Sequence, residues 1–222
     1  MNKPTEIITT TLTWSILFSV ALYFLTKFFM LLTAPAAEEP QNNVYNYELY
    51  RSRTELSMEG VKDNIVTEID NYIDSVAPES CLNGIKLFEL CDEYGIDVRF
   101  AMAQAEVESH YGTKGIAAKT NIVWNVKAYD GLTATDMKKN GNICSHPDYS
   151  IEPYLKLLKN DYLVNGKTEE DLFVEFVNFD NKRYASNTEY ENKMLKIYNK
   201  INASTNLAAL IKEYNKYKMI LS

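Results

Sequence analysis

Beyond residue 60, apolar positions recur at helical spacing through most of the chain, and the breaks between these runs mark its elements. Val61, Ile65, Ile69, Tyr72 and Ile73 share one helical face, which predicts a helix from Val61 to Val76 that Pro78 ends. Leu82, Ile85, Leu87, Phe88 and Leu90 predict a second helix over Ser80 to Tyr94, with Gly95 a fitting residue just past its end. Asp97 is a natural N-cap for a third, Val98 to Ser109. That helix is apolar nearly all round, the mark of a helix buried in mid-domain. Gln104 and Glu108 interrupt it, four positions apart and so on one face. Ile122, Val123, Trp124 and Val126 form a short apolar run, and Asp130-Gly131 and Asn140-Gly141 are turn signals. Residues 126–149 are therefore expected to be irregular, with short strands at most. Helical spacing returns over Pro153 to Leu163, Thr168 to Phe179, Glu189 to Ile201 and Asn206 to Tyr217.

The N-terminal pattern is different. Ile7 to Thr26 carries no charge, and apolar character continues to Leu32. A bilayer takes about 20 such residues, more than the apolar core of a secretory signal peptide. An uncleaved transmembrane anchor over 1–33 is the preferred reading, with Lys27 snorkelling to the interface. Cleavage near Ala34-Pro35-Ala36, giving a secreted protein, is the alternative. Lys3 before the span, and Glu38 and Glu39 after it, place the N-terminus in the cytoplasm and the remainder outside. The polar stretch 34–60, with two prolines at its start, reads as a linker. Residues 61–203 then form the main domain, and 204–222 a C-terminal helix.

Composition narrows the function. The 222 residues are 46% apolar and 24% charged, ordinary for a globular domain. A net charge of -7 argues against a nucleic-acid partner. Cys81, Cys91 and Cys144 are too few and too scattered for a disulfide framework, and buried thiols are the expectation. His110 and His146 stand apart from any metal-ligand spacing, so neither a metal nor a cofactor is expected. The 16 tyrosines suit a sugar-binding groove and a core equally.

The chemistry centres on Glu108. A carboxylate at the end of a buried helix is placed for a raised pKa, as a general acid requires. The bland reading is a local cap or a pair with Lys114. Glu106 points to another face and is expected to be exposed or ion-paired.

Three blocks set Glu108 in context. Gln104-Ala105-x-x-Glu108-Ser109-x-x-Gly112 resembles the Q-A-x-L-E-S-x-W-G signature of glucosaminidase domains, glycoside hydrolase family 73. Ala117 to Lys127 resembles that family's A-x-x-x-N-N-L-F-G-I-K segment, and Arg183-Tyr184-Ala185 with Tyr190 resembles its Y-A-x-D-x-x-Y motif. The resemblance covers about Val61 to Ala203. It implies a mainly α, lysozyme-like fold: a helical lobe and a small β or irregular lobe with a glycan groove between them. It also implies cleavage of peptidoglycan on the reducing side of N-acetylglucosamine.

Carried over by position, Glu108 is the catalytic acid and Tyr184 the active-site tyrosine. The second carboxylate comes from the small lobe, where Asp136 falls nearest; Asp130, Asp148 and Glu152 are rivals. Tyr111, Asn121, Trp124 and Tyr190 are the expected substrate-binding residues, and Gln104 a structural one. The chain departs from the pattern at His110, Tyr111 and Val123-Trp124-Asn125, where Asn125 replaces a glycine. Tyr111 and Trp124 keep aromatic faces for stacking. Two other readings compete: a lytic transglycosylase or muramidase of the same fold, and an inactive, membrane-tethered glycan-binding or assembly protein. No Gly-Leu-Met-Gln segment follows Glu108-Ser109, which counts against the transglycosylase.

Overall fold

The computed structural model describes residues 22–26, 41–126 and 143–222. The chain divides into two units, residues 1–53 and residues 54–222. In the first, residues 22–26 are helical, and Leu22, Tyr23, Phe24 and Leu25 are exposed. Most of the membrane span expected over Ile7 to Leu32 lies outside the described residues. Among those described, no helix is long and apolar enough to cross a membrane. The stretch read as a linker is helical from Gln41 onward, because α1 runs from Gln41 to Val76. Nothing between Gln41 and Glu59 is proline or glycine, so nothing breaks the backbone.

The second unit holds the core. Val61, Ile65, Ile69, Tyr72 and Ile73 of α1 are all buried, as their spacing predicted. Helix α2 spans Gly84–Tyr94, starting later than expected because Asn83 is its N-cap. The Asn83 side chain accepts from the backbone N–H of Ile85 at 3.0 Å. Cys81 therefore sits on the turn before the helix, exposed, while Cys91 is buried and Cys144 partly buried; all three are free thiols. Gly95 closes α2 at φ +66°, a left-handed turn that suits glycine.

Helix α3, Val98–Ser109, is capped by Asp97 and is the centre of the domain. Val98, Phe100, Ala101, Met102, Ala103 and Ala105 are all buried. The helix ends on His110 (φ +52°) and Tyr111 (φ +56°), before Gly112 is reached. The end at Ser109 agrees with the expected span, and the two residues after it hold the left-handed conformation, which costs a non-glycine residue roughly 1 kcal/mol.

A short α4, Ala117–Thr120, and a 3-10 turn, Pro147–Ser150, lead into α5, Ile151–Leu157, which loosens into a π-turn, Leu158–Tyr162. Helix α6 is only Glu169–Val174. Its predicted continuation to Phe179 fails because the chain leaves the helix at Glu175 and doubles back, pairing Val177 with Arg183. Helices α7, Tyr190–Ser204, and α8, Leu207–Leu221, complete the unit. Helix α7 makes the most extensive packing with α3, while α2 packs on α5 and α6 on α7. The expected helical lobe is thus present. Of residues 126–149, where the irregular lobe was expected, 127–142 lie outside the described residues.

Candidate active site

Burial of α3 forces Gln104 and Glu108 to find partners within the protein. Gln104 has no exposed surface, so both ends of its amide must be satisfied internally. Its Oε1 accepts from the Tyr154 hydroxyl at 2.7 Å, and its Nε2 donates to the Tyr190 hydroxyl oxygen at 3.0 Å. One turn on, Glu108 Oε1 accepts from the Tyr190 hydroxyl at 2.5 Å. Glu108 Oε2 accepts from Asn125 Nδ2 at 3.1 Å, and the same nitrogen donates to the Glu108 carbonyl at 2.9 Å. All these donors are uncharged, and no ion pair joins Glu108 to Lys114. Burial raises the Glu108 pKa, and the bonds from Tyr190 and Asn125 only partly offset it. Such a carboxyl keeps more of its acid form towards neutral pH and can give up a proton.

Ser109 locks the turn beside it. Its hydroxyl donates to the Val123 carbonyl at 2.6 Å and accepts from the Gly112 N–H at 2.8 Å. Val123 N–H in turn donates to Ser150 Oγ at 3.2 Å. The loop then passes under α3, where Trp124 Nε1 donates to the Ala101 carbonyl at 3.0 Å. The indole stacks on Tyr154, with ring centres 4.5 Å apart.

Two expected groove surfaces are corrected by this packing. Tyr111 and Trp124 both have 0% exposed surface and cannot offer a face to a sugar here. Tyr111 packs edge-on against Tyr72, and Trp124 is a keystone between α3 and α5. Tyr190, also expected to meet substrate, is buried at the start of α7 and bonds Glu108 directly. Asn121 donates to the Cys144 carbonyl at 3.0 Å and, with Gly112, Thr113 and His146, helps line a cavity of about 380 Å³.

Tyr184 is half-buried. Its hydroxyl donates to the Trp124 carbonyl at 3.0 Å, and its ring lies between Phe176 and Tyr190, with centres 4.7 and 5.6 Å away. The turn that carries it is tied to α7 by Arg183, whose Nη2 bonds both oxygens of Glu191 at 2.8 and 2.7 Å. Glu191 also accepts from the Phe176 N–H at 3.1 Å. Although burial pushes its carboxyl up, these bonds outweigh that and lower its pKa.

Asp136 and Asp130 lie outside the described residues. Asp148 accepts from the Asn83 N–H at 2.9 Å, and exposed Glu152 pairs with Lys156 at 2.8 Å. Both rivals thus have structural partners. Glu106 is ion-paired, with Lys200 at 3.1 Å, but is not exposed: its side chain is 11% accessible and also takes the Tyr72 hydroxyl at 2.9 Å. Among the described residues no group of three or more His, Cys, Asp or Glu side chains is placed to hold a metal ion.

Sequence reasoning missed the role of Asn125, seen only as a lost glycine. At φ +51° it keeps the left-handed backbone that glycine would supply, and asparagine tolerates this conformation better than most residues. The clamp of Arg183 on Glu191 was equally unforeseen. Arg183 lies outside α7, so helical periodicity could not report the pair.

A search of curated proteins finds no match to the chain. A family model described as Glucosaminidase, mannosyl-glycoprotein endo-beta-N-acetylglucosaminidase, matches residues 86–203. Gln104, Glu108, Asn125, Tyr154, Tyr184 and Tyr190 all lie within the matched residues, which make up more than half of the sequence, and the chain belongs to this glucosaminidase family.

Proposed function

We propose that the protein is a peptidoglycan hydrolase, an endo-β-N-acetylglucosaminidase that uses Glu108 as its general acid. The observation that carries this reading is the setting of Glu108: a carboxyl held by two neutral donors, with its pKa raised by burial, inside the family's matched residues. Glycoside cleavage requires such a group to protonate the departing oxygen. Tyr184 is proposed to act beside it, steadying the acetamido group or the developing charge. Asp136 is the proposed second carboxylate, on its position in the sequence alone. Asn121 is the remaining candidate for direct glycan contact.

The charge-free run from Ile7 to Thr26 supports a membrane anchor, with the catalytic domain on the extracytoplasmic side. The exposed apolar side chains of residues 22–25 suit that reading.

Digestion of purified peptidoglycan, followed by mass spectrometry of the products, tests the proposal. New reducing ends on N-acetylglucosamine are expected from the wild-type protein and not from Glu108→Gln. Anhydromuramyl ends would instead identify a transglycosylase. Glycan binding without product would identify a non-catalytic tether, and a Glu108→Gln variant as fast as wild type would remove Glu108 from the mechanism.

A further inference from the structure

Three buried side chains, Tyr154, Gln104 and Tyr190, lead in a row to the half-buried Glu108, and their hydrogen bonds run in one direction. Tyr154 has no exposed surface, and Gln104 Oε1 is the acceptor its hydroxyl reaches, at 2.7 Å. That bond decides which way the Gln104 amide faces. The other end of the amide is then an NH2 group, aimed at the Tyr190 oxygen 3.0 Å away. Because the Tyr190 oxygen accepts there, its own hydrogen points to Glu108 Oε1 at 2.5 Å. Reversing the chain would turn the amide over and orphan the Tyr154 hydrogen inside the core, which buried donors avoid.

We infer that Gln104 is a positioning residue for the acid: fixed by Tyr154, it turns the Tyr190 hydrogen onto Oε1 of Glu108, so that the transferable proton is carried on Oε2. The two carboxyl oxygens are unequal. Oε1 takes the short phenol bond, whereas Oε2 takes only the longer amide bond from Asn125. The proton goes to the oxygen whose existing bond is cheaper to weaken. The titratable groups facing Glu108 are the phenols of Tyr154, Tyr184 and Tyr190. Burial holds all three well above the usual phenol range, with the Glu108 charge adding to it, so none of them ionises first. The inference rests on Glu108 being the acid of the proposed reaction, and it adds a fixed direction to the bonds around that acid.

The test is the titration of Glu108 in the folded, ligand-free protein, followed by carboxyl carbon NMR and assigned with Glu108→Gln. In Gln104→Glu the new carboxylate accepts the Tyr190 hydrogen and draws it off Glu108. The Glu108 midpoint is expected to rise by about one pH unit. Tyr190→Phe removes the same hydrogen and is expected to raise the midpoint as well. Adding Gln104→Glu to Tyr190→Phe is expected to produce less than half of its effect in the wild type, because Gln104 acts through Tyr190. A midpoint that falls in Tyr190→Phe would show the chain running the other way and overturn the inference. An equal Gln104→Glu shift in both backgrounds would reduce Gln104 to a distant charge and overturn it too. The titration needs no turnover. A wild-type protein that fails to digest peptidoglycan would defeat the functional reading and leave this result standing on its own.

Discussion

Tyr190 donates its hydroxyl hydrogen to Oε1 of Glu108 at 2.5 Å, across 82 positions of sequence. The bond joins the first turn of α7 to the last turn of α3, the two helices that pack most extensively on each other. One oxygen of Glu108 is thus held by the helical core, while Asn125 of the following loop holds the other. The Glu108 carboxyl sits above its usual range because burial disfavours the charged form. A group whose pKa is raised by folding contributes stability at low pH and loses it as pH rises through the folded value. Glu108→Gln carries no such charge. Its stability relative to wild type is therefore expected to improve as pH rises from 4 towards 8, while its activity is lost. Thermal melts of both proteins across that range check the crossing trends.

Glu106, two positions away, is expected to behave in the opposite way. It joins α3 to α1 through Tyr72 and to α7 through Lys200, and it bonds neither Tyr190 nor Asn125. Glu106→Gln should cost about 1–2 kcal/mol of stability, since the Lys200 partner is half-exposed and the Tyr72 bond survives in part. Digestion of peptidoglycan at close to the wild-type rate would separate the two glutamates. A loss of activity equal to that of Glu108→Gln would contradict the separation.

The sequence made this distinction legible because helical periodicity is a strong signal when a helix is buried. The α3 pattern assigned its cap, its buried face and the shared face of Gln104 and Glu108. Periodicity cannot report which side of an aromatic residue meets solvent. Tyr111 and Trp124 stand where the family resemblance implied groove residues, yet both are core. The reason is local: Ser109 pulls the Val123 loop under α3, which carries the indole to the Ala101 carbonyl. The shortening of α6 was hidden for a similar reason. The turn from Phe176 to Tyr184 is stabilised by Glu191, and such a long-range clamp leaves no mark on a local pattern.

That clamp carries its own prediction. Glu191 holds the turn bearing Tyr184 and begins the helix bearing Tyr190, so both tyrosines depend on it. Glu191→Gln loses the charge on a paired, buried carboxylate and should destabilise the protein by about 1–3 kcal/mol at neutral pH. The Glu191 pKa is lowered in the folded state, so its stabilisation is present above the ordinary carboxylate range and disappears as pH falls through the folded value. The stability gap between variant and wild type should therefore narrow on acidification. A gap that stayed constant from neutral to acidic pH in denaturant melts would show that the charge contributes little.

Gly84 tests the joint between α1 and α2. Its N–H donates to Asp70 Oδ1 at 2.9 Å, and a Cβ placed there would lie 2.3 Å from the same oxygen. Alanine suits a helix better than glycine, by about 1 kcal/mol or less. The clash is larger, because the carboxylate must leave the bond it makes to the backbone. Gly84→Ala is expected to lower stability by about 1–3 kcal/mol without moving the pH profile of the active site, as read by chemical denaturation beside a rate profile.

Asn125 combines a backbone task with a chemical one, and paired substitutions separate them. Its φ of +51° is tolerated by glycine and strained for alanine. Asn125→Ala should therefore be less stable than Asn125→Gly by about 1 kcal/mol. Both remove the amide that donates to Oε2 and to the main-chain oxygen of Glu108. Losing a donor to a carboxylate favours its protonated form, so the Glu108 pKa should rise in each variant to the same extent. A general acid works while protonated, and the rate falls on the alkaline side as it ionises. The alkaline limb of kcat/KM should accordingly move to higher pH in Asn125→Gly, even as the rate at the optimum drops because the carboxyl is less firmly held. If the limb moved only in Asn125→Ala, backbone strain and not the lost amide would be setting the pKa of Glu108.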